Sequence, residues 1–176
     1  MKMINERLRV AEYEYPLASK LNPELHQIIL GLPDAQQRRV SLKAKMTEWR
    51  TENKKFDIVK EFVKKFIIRD FSNGEVICSE CWAALYNKGD HTDIHNHEPS
   101  FFSFVYYVNT PKGSSPLIFD TSGYKIKPIS GRLVIFDSKL NHRVPTNRCD
   151  GRSVISGNFI YKQLRGVHGD LSSVTV

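Results

Sequence analysis

Residues 131–147 read Gly131-Arg132-Leu133-Val134-Ile135-Phe136-Asp137-Ser138-Lys139-Leu140-Asn141-His142-Arg143-Val144-Pro145-Thr146-Asn147. Leu133 to Phe136 form an unbroken apolar run, the pattern of a strand covered on both faces rather than one open to water on one side. A Ser130-Gly131 turn opens the run, and a polar segment carrying a histidine closes it. Such a strand belongs inside a layered β structure.

The surrounding sequence supplies the other strands. β-rich runs lie near residues 75–87, 101–109, 116–120, 123–128, 132–137 and 152–161, separated by turn material such as Thr110-Pro111-Lys112-Gly113. Spacings this short favour a sandwich or barrel over alternating βαβ units. Before about residue 70 the periodicity is helical. Asn22 and Pro23 read as an N-cap and first helical residue ahead of Leu25, Ile28 and Ile29, with Gly31-Leu32-Pro33 as the stop. A second helix is expected over Ala35–Trp49 and a third over Asp57–Ile68. In the third, Ile58, Val59, Phe62, Val63, Phe66 and Ile67 make one stripe and Lys60, Glu61, Lys64 and Lys65 the other face.

The chain has 176 residues, 40% hydrophobic and 26% charged, the composition of one globular domain. The expectation is a single domain over 1–176: a helical support layer over 1–70, a β core over 75–162 and a tail over 163–176. A domain of this size buries roughly 70% of its unfolded surface, so it needs neither disulfide nor structural metal to fold. No apolar run approaches the roughly 20 residues of a membrane span, and the charged start MKMINERLRV does not suit a signal peptide, so a cytoplasmic protein is expected. Cys78, Cys81 and Cys149 are too few and odd in number for a disulfide framework. Cys78 and Cys81 lack a second pair, and on a regular strand they would face opposite sides, so they read as structural.

The net charge is +7, and residues 38–69 hold eleven Lys or Arg against four acids, which accounts for all of it. A basic helical surface can face nucleic acid or an acidic substrate, but a solvated helix face is the simpler reading. His26 and His168 read as surface residues, and Trp49 and Trp82 as packing residues.

The chemistry-bearing residues cluster. Gly89-Asp90-His91-Thr92-Asp93-Ile94-His95-Asn96-His97-Glu98-Pro99 carries three of the six histidines, and His142 follows 45 residues beyond His97. In extended backbone, residues 91, 93, 95 and 97 would point to one side, where imidazoles and a carboxylate can converge on a metal. Arg152, ten residues past His142, opens the run Arg152-Ser153-Val154-Ile155-Ser156-Gly157-Asn158-Phe159.

Two ligands on one strand, a distant third and then an arginine resemble the iron(II)/2-oxoglutarate-dependent oxygenases. The similarity is closer to the 2OG-Fe(II) oxygenase family with an H-x-H…H…R pattern, which is prolyl-hydroxylase-like. It is carried by Cys81-Trp82-Ala83, Lys88-Gly89-Asp90, His95-Asn96-His97, Ser103-Phe104-Val105-Tyr106-Tyr107-Val108, Pro128 to Phe136, His142 to Asn147 and Arg152 to Phe159, in order over roughly residues 75–162.

The resemblance implies a mainly β fold, a double-stranded β-helix (jelly roll, cupin-like) backed by N-terminal α-helices. It implies Fe(II) on His95, His97 and His142, with O2 and with 2-oxoglutarate as co-substrate. Arg152 would pair with the distal carboxylate of 2-oxoglutarate, a match of planar donors and fixed charge. Tyr107 and Tyr86 stand where prolyl-hydroxylase-like members place two co-substrate tyrosines, and Ser103 and Asn158 where pocket residues would be. The activity implied is hydroxylation of a substrate with decarboxylation of 2-oxoglutarate to succinate.

His97 stands where most of the superfamily has Asp or Glu, so two other ligand sets stay open: His91 and Asp93 with His142, or His95 and His142 with Asp93 or Glu98. Two other functions also stay open: a cupin-type three-His metal dioxygenase that does not use 2-oxoglutarate, and a non-catalytic jelly-roll module binding through its basic helical face. The substrate can be a peptide, a small molecule or a nucleic acid. No membrane partner is expected, and a two-fold homodimer is the common assembly for a soluble enzyme.

Overall fold

The computed structural model describes residues 8–35 and 41–162. Two antiparallel sheets lie face to face without closing into a barrel. The larger contains β1 (Val10–Glu14), β9 (Arg132–Asp137), β6 (Phe102–Asn109), β11 (Arg152–Tyr161), β4 (Val76–Tyr86) and β3 (Lys45–Met46), in that order. The smaller contains β2 (Leu42–Lys43), β5 (His91–His95), β10 (His142–Val144), β7 (Leu117–Phe119) and β8 (Lys125–Ile126). β9 is Leu133 to Phe136 with one residue at either end, and all four apolar side chains are buried. Leu133 and Ile135 face the helices, while Val134 and Phe136 face the other sheet.

The helices α1 (Ala18–Gly31) and α2 (Lys54–Phe66) cover the outer face of the large sheet. Asn53 caps α2, its side chain accepting from the Lys55 N–H, and Phe56, Val59 and Val63 supply the buried stripe. A π-turn over Ile67–Phe71 ends it. Among the described residues no helix is long and apolar enough to cross a membrane.

Three expectations change. α1 begins four residues before Asn22, so Asn22 is no cap and Pro23 lies inside the helix. The Asn22 side chain is instead buried, donating to Tyr107 O, Val108 O and Ser130 Oγ and accepting from the Tyr106 hydroxyl at 2.7 Å. The helix expected over 35–49 is absent from its described part. Residues 42–46 form β2 and β3, Ala35 N–H donates to Met46 O, and Thr47 N–H donates to Ala83 O. Edge positions on both sheets capture these backbone groups, which outweighs a modest helix propensity. The first 70 residues are therefore a mixed layer, since β1, β2 and β3 also come from them. The expected tail over 163–176 lies outside the described residues.

Two β-bulges decide which side chains face where. Against β11, Asn158 pairs with Glu80 and Phe159 with Cys78, so Ser79 is the extra residue. Against β10, His95 pairs with His142 but Thr92 with Val144, which places three steps of β5 opposite two of β10. Strict alternation therefore fails at both places. Cys78 and Cys81 come to the same, helix-covered face instead of opposite ones. Thr92 and His95 both turn inward, while Asp93 turns out.

Candidate metal and co-substrate site

Between the sheets lies a cavity of about 340 Å³. His95 ends β5, His97 follows two residues on, and His142 opens β10 directly opposite His95. Their ligand nitrogens all lie within 4.8 Å of one another. The ring centroids are 4.3 Å apart for His95–His142, 4.9 Å for His95–His97 and 5.0 Å for His97–His142.

The local backbone fixes the tautomers of two of them. His95 Nδ1 lies 2.9 Å from Asp93 O and His142 Nδ1 lies 2.8 Å from Leu140 O. A carbonyl can only accept, so both Nδ1 atoms carry the proton and both Nε2 lone pairs are free for a metal. His97 is held through its backbone, its N–H donating to Ser138 O at 2.9 Å. Behind Ser138, its hydroxyl donates to Ser103 Oγ, Ser103 donates to Asn158 Oδ1, and Asn158 Nδ2 donates to Glu80 Oε2. Ser103 and Asn158 thus belong to a buried chain that steadies the His97 segment.

The electrostatics favour neutral imidazoles. Burial, reinforced by its two histidine neighbours, lowers the His97 pKa to about 2. Burial and His95 lower His142 to about 3. His95 also shifts down, through burial. A neutral imidazole is the ligand form, so the cluster is prepared for a divalent metal at neutral pH.

The other two ligand sets are not assembled. His91 pairs with the Asp93 carboxylate at 3.5 Å, both half-exposed and outside the cavity lining. Asp93 meets the site through its backbone carbonyl, which holds His95 Nδ1. Glu98 lies at a separate surface cavity beside Arg9, and it is not part of the histidine cluster. Among the described residues the only group with metal-holding geometry is His95, His97 and His142.

Deeper in the cavity sits Arg152, the first residue of β11, paired in register with Tyr86 of β4 and 1% exposed. Its Cζ lies 4.4 Å from the Tyr86 ring centroid and 5.5 Å from that of Tyr107. Arg152 Nε and Nη1 and the Tyr107 hydroxyl are buried without a hydrogen-bond partner. The Tyr86 hydroxyl shares a hydrogen bond with Thr92 Oγ1 at 2.7 Å. Burial raises the pKa of both tyrosines, which keeps both phenols protonated as donors. Leaving a guanidinium buried and unpaired costs several kcal/mol, about 3–5 where such a pair has been broken. A carboxylate placed there would satisfy the orphaned nitrogens and phenol together. The donor set therefore fits a metal ion and an anionic co-substrate side by side.

Trp49 and Trp82 are not simply packing residues. Both line the cavity, edge to face at 4.8 Å, and the Trp82 ring lies 5.8 Å from that of His97. Thr92, Trp49 and Trp82 are the site residues that the sequence did not mark as functional, and only Trp82 lay within a matching segment. His26 is half-buried rather than at the surface, its Nδ1 2.9 Å from Ser153 Oγ. His168 lies outside the described residues. The basic face of α2 lies across the large sheet from the cavity, and no lysine lines the cavity.

Residues 80–126 match the family described as "Putative 2OG-Fe(II) oxygenase". No curated protein matches the chain in sequence. Similar solved structures include the viral collagen prolyl hydroxylase of Paramecium Bursaria Chlorella virus-1 in its 2OG complex, with TM-score 0.67, 16% identity, and 85% of this chain and 94% of that chain covered. A Pseudomonas putida prolyl-4-hydroxylase has TM-score 0.67 and 20% identity, covering 87% and 92%. HygX from Streptomyces hygroscopicus, with nickel and 2-oxoglutarate bound, has TM-score 0.64 and 10% identity, covering 93% and 89%. The fold is thus the double-stranded β-helix of 2OG oxygenases, and the matching segment runs through β5 and both His95 and His97.

Proposed function

We propose that this chain is an iron(II)/2-oxoglutarate-dependent dioxygenase, hydroxylating a substrate that enters past Trp49 and Trp82. The observation that carries the reading is Arg152, a cation 1% exposed, with two unpaired nitrogens, in the same cavity as the three convergent histidines.

His95, His97 and His142 would hold the iron by their free ring nitrogens. Bound iron(II) with 2-oxoglutarate and O2 supplies oxidation of a C–H bond to an alcohol, coupled to loss of CO2 and formation of succinate. Arg152 binds and orients the distal carboxylate of the co-substrate, and the Tyr107 hydroxyl, protonated by burial, donates to it. Tyr86 backs the guanidinium with its ring face and is itself held by Thr92. Phe119 and Phe136 pack on the His142 ring and keep water from its far side. Three neutral ligands leave the dication uncompensated, and the dianionic co-substrate supplies the balancing charge.

The three-His donor set alone would equally suit a metal dioxygenase that uses no keto acid. Arg152 separates the two readings, since only the first needs a buried cation there. The test is anaerobic addition of Fe(II) and then 2-oxoglutarate to the metal-free chain, following the visible charge-transfer band. The band is expected in the unmodified chain, weakened at least about tenfold in apparent affinity by Arg152→Ala and lost in His97→Ala. Bound iron with no band on adding 2-oxoglutarate would overturn the assignment.

A further inference from the structure

Cys78 and Cys81 lie on the face of β4 opposite the cavity, in the layer under α2. The Ser79 bulge brings them there: Cys78 pairs with Phe159 and Cys81 with Gly157, so they behave as neighbours two places apart on one face. Both side chains enter the same helix-covered layer, and the Cys78 thiol donates to Glu80 O at 3.2 Å. Their surroundings are unequal. Cys81 is 4% exposed and packed among core side chains. Cys78 is more open and forms part of a shallow surface cavity with Asp57, Lys60, Glu61 and Lys64 of α2. Lys60 lines this cavity together with Cys78, its ammonium paired with Asp57 at 2.5 Å. The third free cysteine, Cys149, sits far off in a loop beside Asn147 and Ser114.

We propose that Cys78 and Cys81 form a peroxide-reactive dithiol site, in which Cys78 is oxidised first and Cys81 resolves it to an intramolecular disulfide. The oxidant is a hydroperoxide entering the cavity beside Lys60. The Cys78 thiolate attacks the outer peroxide oxygen, the O–O bond breaks, and the leaving oxygen departs as water or an alcohol after taking a proton. Cys78 is then a sulfenic acid. The Cys81 sulfur attacks it, the S–S bond forms, and the hydroxyl leaves as water with the Cys81 proton. Two thiols lose two protons and two electrons, and one hydroperoxide is reduced. A dithiol reductant reverses the bond by exchange.

The asymmetry in protonation agrees with this division of labour. The neighbouring Cys81 thiol and the Lys60 charge lower the Cys78 pKa against its own burial, while the neighbouring Cys78 sulfur and burial raise that of Cys81. The strand also links this site to the metal side, because Trp82, the residue after Cys81, lines the catalytic cavity from the opposite face. The proposal is independent of the enzymatic assignment, and so is its test.

The full-length chain, freed of metal by chelator so that iron does not react with the oxidant, is treated with equimolar hydrogen peroxide. Remaining thiols are then blocked with N-ethylmaleimide and the tryptic peptide of residues 70–88 is weighed. It is expected to lose two hydrogens and take up no maleimide, while Cys149 stays alkylated. Cys81→Ser should halt at a Cys78 sulfenic acid that a 1,3-diketone traps. Cys78→Ser should leave Cys81 reduced at the same dose, and Lys60→Met should slow the reaction of Cys78 several-fold. A peptide 70–88 that stays reduced while Cys149 oxidises would overturn the proposal. So would a Cys78 sulfenic acid that persists in the unmodified chain. The unmodified chain and Lys60→Met decide the matter even if a cysteine variant fails to fold.

Discussion

Arg152 is held in the cavity by its neighbours in the fold and left without the partner its charge requires. It is 1% exposed, its Nε and Nη1 are unsatisfied, and the Tyr86 ring face is the main compensation visible around it. A group placed this way lowers the stability of the ligand-free protein in exchange for affinity toward an anion. Two opposite effects of one substitution follow. Arg152→Met keeps the volume of the stem while removing the unsatisfied charge. The metal-free chain should become about 1–3 kcal/mol more stable in urea unfolding, and 2-oxoglutarate should no longer protect it against unfolding. If the variant is less stable than the parent without ligand, the guanidinium has partners that offset its burial, and the co-substrate assignment loses its main support.

At the level of elements, side chains working across layer boundaries hold the site in place. Asn22 of α1 binds the end of β6 at Tyr107 O and Val108 O, the turn before β9 at Ser130 Oγ, and the Tyr106 phenol. Tyr107, whose carbonyl accepts from Asn22, packs its side chain between the sheets beside Arg152. Asn22→Ala should cost about 2–4 kcal/mol, because it strands a buried phenol and several carbonyls at once. Adding Tyr106→Phe to Asn22→Ala should recover part of that loss, which urea unfolding of the two variants would measure. Additive losses would show that the Asn22–Tyr106 bond is not the source.

A close approach within the large sheet is equally restrictive. A Cβ on Gly157 would lie 2.4 Å from Glu80 O and 2.7 Å from Phe104 Cε1. Gly157→Ala should therefore push β11 off β4 near the bulge and lower the melting temperature by several degrees, at about 2–4 °C per kcal/mol for a chain of this size. An unchanged melting temperature would mean the strands separate there at no cost.

The same elements show what could be read from sequence. The strands from Val76 onward and the α2 stripe follow their hydrophobic periods, and the three histidines with Arg152 stood out through their spacing and family resemblance. What could not be read was the bulges. Nothing in Ser79 or in Asp93-Ile94 announces an extra residue, yet each reverses every inference about facing made by counting in twos. That is why Asp93 and His91 looked like candidate ligands, and why Cys78 and Cys81 looked like residues on opposite faces. β2 and β3 were hidden for another reason: they are short edge segments whose structure comes from pairing to β5 and β4, not from any pattern of their own.

For the whole molecule, the site sets how the metal-free chain responds to acid. His97 and His142 have folded-state values of about 2 and about 3, and His95 and His26 are also shifted down, all with burial as the first cause. The unfolded chain takes up these protons near pH 6.5. A depressed histidine pKa contributes stability that is fully present above about 6.5 and is lost as pH falls below it, because the unfolded state then binds protons that the folded state refuses. His97 and His142 together set a slope of up to about 3 kcal/mol per pH unit below pH 6. The chain already carries +7, so general charge repulsion adds to the loss on acidification. Replacing all three cavity histidines by glutamine separates the two contributions, since it leaves the net charge at neutral pH unchanged while removing the groups that resist protonation. Urea unfolding at pH 7, 6 and 5 should show the chelator-treated parent losing stability steeply and the triple variant much less. Added divalent metal should raise the parent's curve most at pH 7 and least at pH 5, because protons and metal compete for the same nitrogens. Parallel curves for parent and triple variant would place the acid sensitivity elsewhere in the fold and remove the physical basis for a prepared, neutral three-histidine centre.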